Sequence, residues 1–553
     1  MAHSNLYAQL RRFVRRQLGA AQLERTTGIP RNEWLDASRT RRQLLELMAA
    51  LGTAPLLGCS QSPQVTGTKT TDTTPIDTAV DTEVAGKTPP NVGMIAIVGG
   101  GLAGLHCALR LWQDYGVKSL VYDGQTRVGG RCHTDHDTFK KLGEMHCELG
   151  GEFIDSNHVT MRKLCKDFDL PLLDYNDDDP NLDDSLLVVQ GKVWSEKSLR
   201  SAWKPLADAI AKAQQALPGG LAPTYDKTQG AETIDNKSLA QWLDEANVTG
   251  PLRTLVDVTY TSEFGLDPEH QSALNLLDMV DASASGIALL GDSDERYHLK
   301  AGNEALVLKM VAALPSGAIQ LGHTLQKASL GSDGRVVLTF ATVGGSNVEV
   351  KADRTVMALP FSALRHVDTS GLALPAIKAK SINTLAYGTN SKLMVGFKSR
   401  VWRKVGSNGT ILTDLGFGAC WETSTLQSTT DLGILTQYSG GKKGVDAGLG
   451  SAANQRDAFL NQLDAIIAGS KVAATADAVR MHWPSVPWVE GSYSCYKPSH
   501  YTSIRGAEAA QVGSIHFCGE HTDLAMQGYL EGAVASGERV AVEIAKGVGL
   551  TSK

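Results

Sequence analysis

A glycine-rich turn near residue 100 has the spacing of a site for a phosphate-containing ligand. The apolar, β-branched run at 94–98 predicts a short buried strand, and residues 105–112 continue at helical spacing. Between them, Gly99 permits a tight turn, Gly101 lets a pyrophosphate approach the backbone, and Gly104 lets the helix pack closely on the strand. Because a helix N-terminus carries partial positive charge, the turn predicts a pyrophosphate at the start of this helix.

An acidic residue follows this turn at the position expected for ribose recognition. The run at 119–122 predicts a second strand, and Asp123 ends it, 19 residues after Gly104. A carboxylate at this place accepts hydrogen bonds from the ribose hydroxyls of a dinucleotide. Strand, turn, helix and acid together predict a dinucleotide-binding unit, without deciding between NAD and FAD.

Further sequence blocks decide between these two cofactors. The blocks are 127–131 (RVGGR), 148–154 (ELGGEFI), 352–360 (ADRTVMALP), 386–388 (AYG) with Lys392 and Trp402, 515–520 (IHFCGE), 528–533 (GYLEGA) and 536–539 (SGER). In this order they closely resemble the flavin-containing amine oxidase family, which includes monoamine oxidases, polyamine oxidases and L-amino-acid oxidases. The resemblance extends over roughly residues 92–548 and implies FAD as the cofactor.

The resemblance implies that distant parts of the chain hold the extended FAD molecule. Arg131 would hydrogen-bond near the pyrophosphate and the flavin, Glu520 would bind the ribityl chain, and Leu325 would make a backbone contact to adenine, with a plain strand position as the alternative for Leu325. The helix that starts after Tyr529 would direct backbone donors at the flavin pyrimidine, where they stabilise negative charge on the reduced ring. The complete implied set is Gly99, Gly101, Ala103, Gly104, Asp123, Gly130, Arg131, Gly150, Gly151, Leu325, Gly519, Glu520 and Leu530.

One substitution within the family pattern bears on how the flavin is attached. The segment 488–494 (WVEGSYS) is similar to the monoamine oxidase element that carries a flavin-linking cysteine followed by a tyrosine, and Ser492 occupies the place of that cysteine. We therefore expect FAD to be bound noncovalently. Attachment through the neighbouring Cys495 is the alternative.

Three residues match catalytic positions of the family. Tyr493 and Tyr529 match the two tyrosines of the monoamine oxidase aromatic cage, whose electron-rich faces flank the substrate nitrogen. Lys392 matches the lysine that holds a water at flavin N5, where its charge would assist oxygen reduction. The alternatives are core packing for the tyrosine pair and a solvated side chain for the lysine.

The substrate pocket departs from the amino-acid oxidases of the family. Many of these enzymes place a Met-Arg pair after the LG(G/A) element, and the arginine clamps the substrate carboxylate. Here the two positions are Glu152 and Phe153, so an α-amino acid would need another clamp. Glu152 would instead face a cationic substrate, or be a surface acid. The aspartates at 177–184 either attract a diamine or form a solvated loop, and no role is assigned to Glu263.

The reaction that the resemblance implies is oxidative deamination of an amine. Hydride passes from the α-carbon of the neutral amine to flavin N5, and the imine hydrolyses to an aldehyde or ketone and ammonia. O₂ then reoxidises the flavin, giving H₂O₂. No protein general base is assigned. The alternatives are an L-amino-acid oxidase or dehydrogenase, and a catalytically silent flavoprotein that serves as a binding module.

Length and composition agree with a large α/β enzyme. The 553 residues are 42% hydrophobic and 20% charged, which excludes wholesale disorder, collagen and coiled coil. A net charge of −6 argues against a nucleic-acid binder built on bulk charge. The family fold implies a discontinuous Rossmann-like FAD-binding domain from 92–160, 296–380 and 485–548. A substrate-binding α+β domain from 161–295 and 381–484 would be interleaved with it, with the active site between them.

The sequence of the first 91 residues predicts an export signal followed by a disordered tether. Residues 40–45 (TRRQLL) resemble a twin-arginine export motif, and 56–59 (LLGC) resemble a bacterial lipobox in which Cys59 is lipidated. Residues 60–91 are rich in Thr and predict a disordered tether. We therefore expect residues 1–59 to direct a periplasmic or cell-surface lipoprotein. Because Glu46 interrupts the apolar segment, a basic amphipathic helix of a cytoplasmic protein is the alternative.

Cysteine spacing and hydropathy predict no further cofactor and no membrane span. The eight cysteines show no disulfide-framework spacing. A group at 132–147 fits no zinc pattern and predicts a polar loop without metal; it comprises Cys132, His133, His136, His146 and Cys147. No uncharged apolar run reaches the roughly 18 residues of a membrane helix. The sequence does not indicate an oligomeric state.

Overall fold

The structure, a computed structural model, describes residues 92–183, 185–217, 223–282, 287–291 and 293–551. The twin-arginine motif, the lipobox with Cys59 and the tether lie outside the described residues, so export and lipid anchoring stay predictions. Asp184, at the end of the acidic segment, is also outside them.

The described residues contain sixteen α-helices and four short 3₁₀ helices. The α-helices are α1 (Leu102–Tyr115), α2 (Val159–Asp167), α3 (Glu196–Gln215), α4 (Glu232–Asp235), α5 (Leu239–Glu245), α6 (Gly250–Phe264), α7 (Ala273–Met279), α8 (Glu304–Ala312), α9 (Phe361–Leu364), α10 (Ala376–Thr384), α11 (Val401–Lys404), α12 (Gly441–Asp446), α13 (Ala452–Ile466), α14 (Ser470–Ala473), α15 (His500–Ser503) and α16 (Leu530–Gly547). The 3₁₀ helices are Tyr175–Asp177, Pro268–His270, Trp483–Ser485 and Glu520–Thr522.

Strands in the described residues number twenty-two. They are β1 (Ile95–Val98), β2 (Leu120–Tyr122), β3 (Thr134–Asp135), β4 (Cys147–Glu148), β5 (Leu172–Asp174), β6 (Leu186–Val189), β7 (Lys192–Trp194), β8 (Tyr297–Leu299), β9 (Ile319–Gln320), β10 (His323–Leu330), β11 (Val336–Thr342), β12 (Asn347–Ala352), β13 (Arg354–Met357), β14 (Asp368–Gly371), β15 (Ala386–Tyr387), β16 (Ser391–Phe397), β17 (Ile411–Thr413), β18 (Ala419–Glu422), β19 (Gly433–Ser439), β20 (Ala474–His482), β21 (Ser494–Cys495) and β22 (Ile515–Phe517).

The predicted strand–helix–strand unit is part of a five-stranded sheet with the order β22-β13-β1-β2-β9. Each neighbouring pair in this sheet is parallel, and Ile95 to Val98 of β1 pair in register with Arg354 to Met357 of β13. All four residues of β1 are buried, as expected for a parallel sheet that is covered on both faces. The α/β fold class predicted from the sequence is therefore confirmed.

Small residues let α1 pack closely against this sheet and against α16. A Cβ atom at Gly104 would lie 2.0 Å from the carbonyl oxygen of Gly99, so only glycine fits where the helix crosses the turn. On α16, a Cβ atom at Gly537 would lie 2.4 Å from the carbonyl oxygen of Ala103. Since α16 comes near the end of the chain, this contact fixes a late segment beside the N-terminal turn.

Two other sheets complete the framework of the site. A seven-stranded sheet has the order β20-β16-β19-β18-β17-β6-β7, and every residue of its strand β16 is buried. Phe459 and Leu463 of α13 pack on this sheet in a core that also contains Phe397. A four-stranded sheet with the order β12-β11-β10-β14 adjoins the parallel sheet, and its strand β10 begins beside Asp123: the backbone N–H of His323 donates to the Asp123 carbonyl over 2.8 Å.

Much of the segment 132–147 is a loop, as predicted, because residues 136–146 form neither helix nor strand, but the loop is more buried than its polar composition predicts. Residues in this segment pair as β3 and β4, and Cys132, His146 and Cys147 are buried. The seven described cysteines are all free and buried. Of the helices in the described ranges, none is long and apolar enough to cross a membrane.

Candidate active site

A cavity of about 610 Å³ is lined by residues of both the parallel sheet and the seven-stranded sheet. Of the residues predicted to bind the cofactor, all but Gly104 line it. The predicted substrate residues Glu152 and Phe153 and the predicted catalytic residues Lys392, Tyr493 and Tyr529 line it as well. Residues spread from 99 to 530 therefore face one space.

The glycine turn shapes one end of this cavity for a phosphate group. Gly101 immediately precedes α1, and a Cβ atom there would meet no other atom within 4 Å, so it would project into open space. Leu102 and Ala103, the first residues of α1, also line the cavity. The open space over a helix N-terminus fits a pyrophosphate, which a larger side chain at Gly101 would displace.

A bulky residue in place of Gly101 should impair binding of the flavin without impairing folding of the apoprotein. We expect Gly101→Val to keep the apoprotein folded, since its Cβ has room and the backbone φ of −78° suits any residue. Flavin content of the purified variant should fall at least tenfold, measured by absorbance after denaturation. Gly104→Val is the matched control. Because its side chain would collide with the carbonyl oxygen of Gly99, this variant should fold poorly and give a lower yield of soluble protein. A Gly101→Val protein that retains a full complement of flavin would contradict the assignment.

Asp123 lies at the end of β2 and faces the same end of the cavity. Its carboxylate accepts hydrogen bonds from the backbone N–H groups of Gly100 over 2.7 Å and Gln125 over 2.8 Å. Burial raises the pKa of this carboxyl, although these hydrogen bonds oppose the shift. Leu325 of β10 lines the cavity nearby, at a position where the pairing register of β10 and β11 shifts.

Arg131 and Glu520 form an ion pair in the wall of the cavity. The Nη1 atom of Arg131 lies 2.8 Å from Oε1 of Glu520, and the Glu520 carboxylate also accepts from the Ser494 hydroxyl over 2.6 Å and from the Gly528 N–H over 3.0 Å. Burial alone would raise the pKa of Glu520, but Arg131 and the other contacts outweigh burial and lower it. This carboxylate therefore joins the N-terminal GGR segment to the C-terminal residues before α16.

Lys392 lies on β16 with its ammonium group buried. Its Nζ atom donates to the carbonyl oxygens of Glu148 over 3.1 Å and Gly150 over 2.8 Å, and to Oε2 of Glu152 over 2.8 Å. Glu152 is 4% exposed, so it is not the surface acid that was one interpretation of the sequence. Its Oε2 atom contacts Lys392, and the residue lines the cavity.

The two predicted cage tyrosines converge on Glu263. The hydroxyl of Tyr529 donates to Oε1 of Glu263 over 3.0 Å, and the hydroxyl of Tyr493 donates to the Glu263 carbonyl oxygen over 2.5 Å. Tyr438 extends this group, with its hydroxyl 3.0 Å from that of Tyr493. Burial raises the pKa of the Glu263 carboxyl to about 7, against the hydrogen bond from Tyr529. Two phenol rings and a titratable carboxyl thus share one part of the cavity wall.

Aromatic side chains cover the wall next to Lys392. The ring of Phe153 lies 5.5 Å from that of Trp421, and Trp421 lies 5.3 Å from Tyr438, all between ring centroids. The Nζ atom of Lys392 is 5.4 Å from the Trp421 ring. Phe153 was predicted to be a pocket residue, whereas the sequence did not indicate Trp421 or Tyr438.

The thiols near the cavity are buried. Ser492 lines the cavity and donates its hydroxyl to Oδ1 of Asn390 over 2.6 Å, whereas Cys495 is not among the described lining residues. Cys132 and Cys420 do line the cavity, and burial raises the pKa of each thiol. A thiol held protonated in this way is a poor nucleophile.

Two further groups of charged or metal-ligating side chains have no assigned role in the cavity. Asp178 of the acidic segment forms a bidentate ion pair with Arg403, at 2.8 and 2.9 Å, which is a structural contact. His146, Glu148 and His298 each offer a ligand atom within 4.8 Å of the others. Because the Glu148 carboxylate already accepts from Thr134 and Asn303, we assign no metal to this cluster.

Glu263 is the functional candidate that the sequence analysis left without a role. It lies in the last turn of α6, which Gly265 ends with a φ of +71°. An acidic side chain at a helix C-terminus faces the negative end of the helix dipole and is locally unfavourable. A residue that is unfavourable for its local structure indicates a functional position, and the sequence at residues 263–265 shows this pattern.

Comparisons with known proteins agree with this geometry. The family model described as flavin containing amine oxidoreductase matches residues 102–545. The chain is similar to an L-amino acid dehydrogenase of Synechocystis, 24% identical over 81% of this chain and 94% of the relative. It is also similar to the flavin-containing amine oxidase of Danio rerio, 26% identical over 81% of this chain and 85% of that protein.

A solved structure shares the fold along nearly its whole length. Cyclohexylamine oxidase from Brevibacterium oxydans superposes with a TM-score of 0.69 at 20% identity, covering 83% of this chain and 99% of that chain. The match of the family model to most of the chain supports a flavin cofactor and oxidation of amines, and the likeness to this solved structure shows a shared fold. The chain belongs to the family of flavin-containing amine oxidoreductases.

Proposed function

We propose that this protein oxidatively deaminates a small-molecule amine, using noncovalently bound FAD and giving an aldehyde or ketone and ammonia. The observation that carries the proposal is the convergence of the Tyr493 and Tyr529 hydroxyls on Glu263, inside the cavity that the dinucleotide-binding residues also line. When bound, FAD supplies a two-electron acceptor for the carbon next to the amine nitrogen.

The residues that would hold FAD form a continuous set along the cavity wall. Gly101 and the start of α1 would bind the pyrophosphate, and Asp123 would accept the adenosine ribose hydroxyls. The Arg131–Glu520 pair would hold together the N-terminal and C-terminal segments that contact the cofactor. Noncovalent binding is supported by Ser492 at the linking position and by the protonated state of the buried thiols.

Tyr493, Tyr529 and Glu263 would bind the substrate nitrogen. Phenol faces attract a polarised amine, and the walls that carry them exclude bulk water. The Glu263 carboxylate adds negative charge at the hydroxyl end of the Tyr529 ring, where it attracts an ammonium group before oxidation. No described side chain is assigned as a general base.

Charge pairing in the cavity favours an amine over an α-amino acid. The arginine and lysine among the described lining residues are Arg131 and Lys392, and each is paired with a carboxylate, Glu520 and Glu152 respectively. A substrate carboxylate would therefore compete with an internal acid for its clamp. An L-amino-acid oxidase or dehydrogenase is the second candidate, supported by the Synechocystis relative.

A substrate panel tests this choice. Purified protein is incubated with primary amines, diamines, polyamines and the twenty amino acids, and ammonia release is measured with O₂ and with an artificial electron acceptor in parallel. We expect turnover with amines to exceed turnover with any amino acid. Turnover confined to amino acids would replace the proposal by the second candidate, and flavin binding without any turnover would favour a binding module.

The ionisation of Glu263 predicts the pH dependence of amine oxidation. The carboxyl is neutral below its pKa of about 7 and charged above it, so attraction of a cationic amine should increase as pH rises through 7. We expect Glu263→Gln to lower kcat/KM by roughly tenfold at pH 8, and by much less at pH 6. The ratio of wild type to variant, measured from pH 5.5 to 9, cancels the ionisation of the amine itself. A ratio that does not change with pH would show that Glu263 does not bind the ammonium group.

A further inference from the structure

The ammonium group of Lys392 has no donor left for a solvent molecule. An ammonium group carries three N–H donors. Their three acceptors are the carbonyl oxygens of Glu148 and Gly150 and the carboxylate of Glu152, at 3.1, 2.8 and 2.8 Å. The lysine side chain is 6% exposed and the Glu152 side chain 2%. The role implied by the family resemblance, in which the lysine holds a water at the flavin, therefore conflicts with the contacts of this chain.

The carboxylate oxygen of Glu152 that does not contact Lys392 accepts further hydrogen bonds, which stabilise the charged form of the carboxyl. Its Oε1 atom accepts from the indole N–H of Trp421 over 3.0 Å and from the hydroxyl of Thr423. Burial alone would raise the pKa of Glu152, but Lys392, with His298 and Thr423, outweighs burial and lowers it. The charges of Lys392 and Glu152 therefore offset each other in this ion pair, and the cavity wall at Gly150 carries no net positive charge from them.

Glu152 offsets the positive charge of Lys392, and this affects electron transfer to O₂ more than electron transfer to a quinone. The first electron added to O₂ makes superoxide, a small anion that a nearby positive charge stabilises strongly in a water-excluded site. A quinone spreads added charge over a ring and two oxygens, so it depends less on such a charge. The aromatic wall of Phe153, Trp421 and Tyr438 also offers stacking contacts to a planar ring.

We propose that Glu152 is a positioning residue that pairs with Lys392 and slows oxidation of the reduced flavin by O₂, so that a quinone is the preferred acceptor. The inference rests on the proposed amine oxidation for the source of the electrons. The quinone takes two electrons and one proton from the reduced cofactor and a second proton from water, giving a hydroquinone. The same electrons and protons delivered to O₂ would give H₂O₂.

The experiment measures flavin reoxidation without any amine. Holoenzyme is reduced anaerobically by light and an external donor, then mixed with O₂ or with a water-soluble benzoquinone at equal concentration. In the wild type we expect the quinone to reoxidise the flavin at least tenfold faster than O₂. In Glu152→Gln, which keeps an acceptor for Lys392 but removes the negative charge, the rate with O₂ should rise roughly tenfold and the rate with quinone should change little. The flavin midpoint potential should also rise, because the cavity loses a negative charge.

A matched control separates charge from packing. Thr423→Val removes a hydrogen bond to Glu152 but leaves the ion pair, so its rates with O₂ and with quinone should match the wild type. Equal wild-type rates with the two acceptors, or a Glu152→Gln variant with an unchanged rate with O₂, would overturn the inference. The wild-type comparison needs no variant, so it stands even where Glu152→Gln does not fold. Failure of every amine to reduce the flavin would refute the proposed function and leave these measurements intact.

Discussion

Lys392→Met should destabilise the folded protein by about 3–5 kcal/mol at pH 8, because it leaves the buried Glu152 carboxylate without its cation. The loss should be smaller at pH 5. In the wild type, the lowered pKa of Glu152 contributes stability that is present at both pH 5 and pH 8 and is lost only as pH falls through the folded-state pKa. Without Lys392, burial raises the pKa, so the variant becomes less stable as pH rises. Urea unfolding at both pH values measures the difference.

The double variant Lys392→Met/Glu152→Gln separates two contributions to the loss of stability: the unpaired charge of Glu152 and the lost packing of the Lys392 side chain. Replacing both members of a buried ion pair by neutral groups is often nearly neutral for stability. We therefore expect the double variant to recover at least half of the stability lost in Lys392→Met, and its remaining difference from the wild type should be the same at pH 5 and at pH 8. If the double variant is as unstable as the single one, the two side chains are not coupled in the way their 2.8 Å contact indicates.

Glu520→Ala should cost the protein its flavin as well as much of its stability. The substitution leaves the Arg131 guanidinium, the Ser494 hydroxyl and the Gly528 N–H without their common acceptor. Loss of one partner of a buried ion pair costs about 3–5 kcal/mol. Because Arg131 and Gly528 both line the cavity, we expect flavin content to fall at least tenfold, measured by absorbance, together with a lower Tm of the apoprotein.

An exposed ion pair provides the control for this second variant. Asp333 pairs with Arg335 over 2.6 Å on the surface, where water and salt screen the interaction. Asp333→Ala should leave flavin content and Tm unchanged. A Glu520→Ala protein that behaves like Asp333→Ala would show that the Arg131–Glu520 contact does not organise the cofactor segments.

Features set by neighbouring residues were predictable from the sequence. At Gly104 the crowding is local, because a Cβ atom there would meet the carbonyl oxygen of Gly99, and the glycine spacing alone indicates β1, the turn and α1. Asp123 follows from the same short unit, because it ends the next strand of the sheet. The positions of Tyr493 and Tyr529 came from family resemblance, and both side chains face the cavity.

Contacts between distant segments were not predictable in the same way. Glu152 and Lys392 are 240 residues apart, and nothing near either residue indicates the other. Their ion pair exists because β16 lies beside the segment after β4, and this placement depends on tertiary packing. The same reason applies to Trp421 and Thr423, which approach Glu152 from β18 and the loop after it. The burial of His146 was likewise missed, since a segment rich in polar residues predicted a loop.

Anaerobic mixing of the purified holoenzyme with an excess of amine tests amine oxidation at this cavity most directly. We expect the flavin absorbance to bleach and one ammonia to be released for each flavin. Glu263→Gln should need a higher amine concentration for half-maximal bleaching, because it lacks the carboxylate beside Tyr529. A protein purified without flavin, or a flavin that stays oxidised with every amine and amino acid tried, would contradict the assignment.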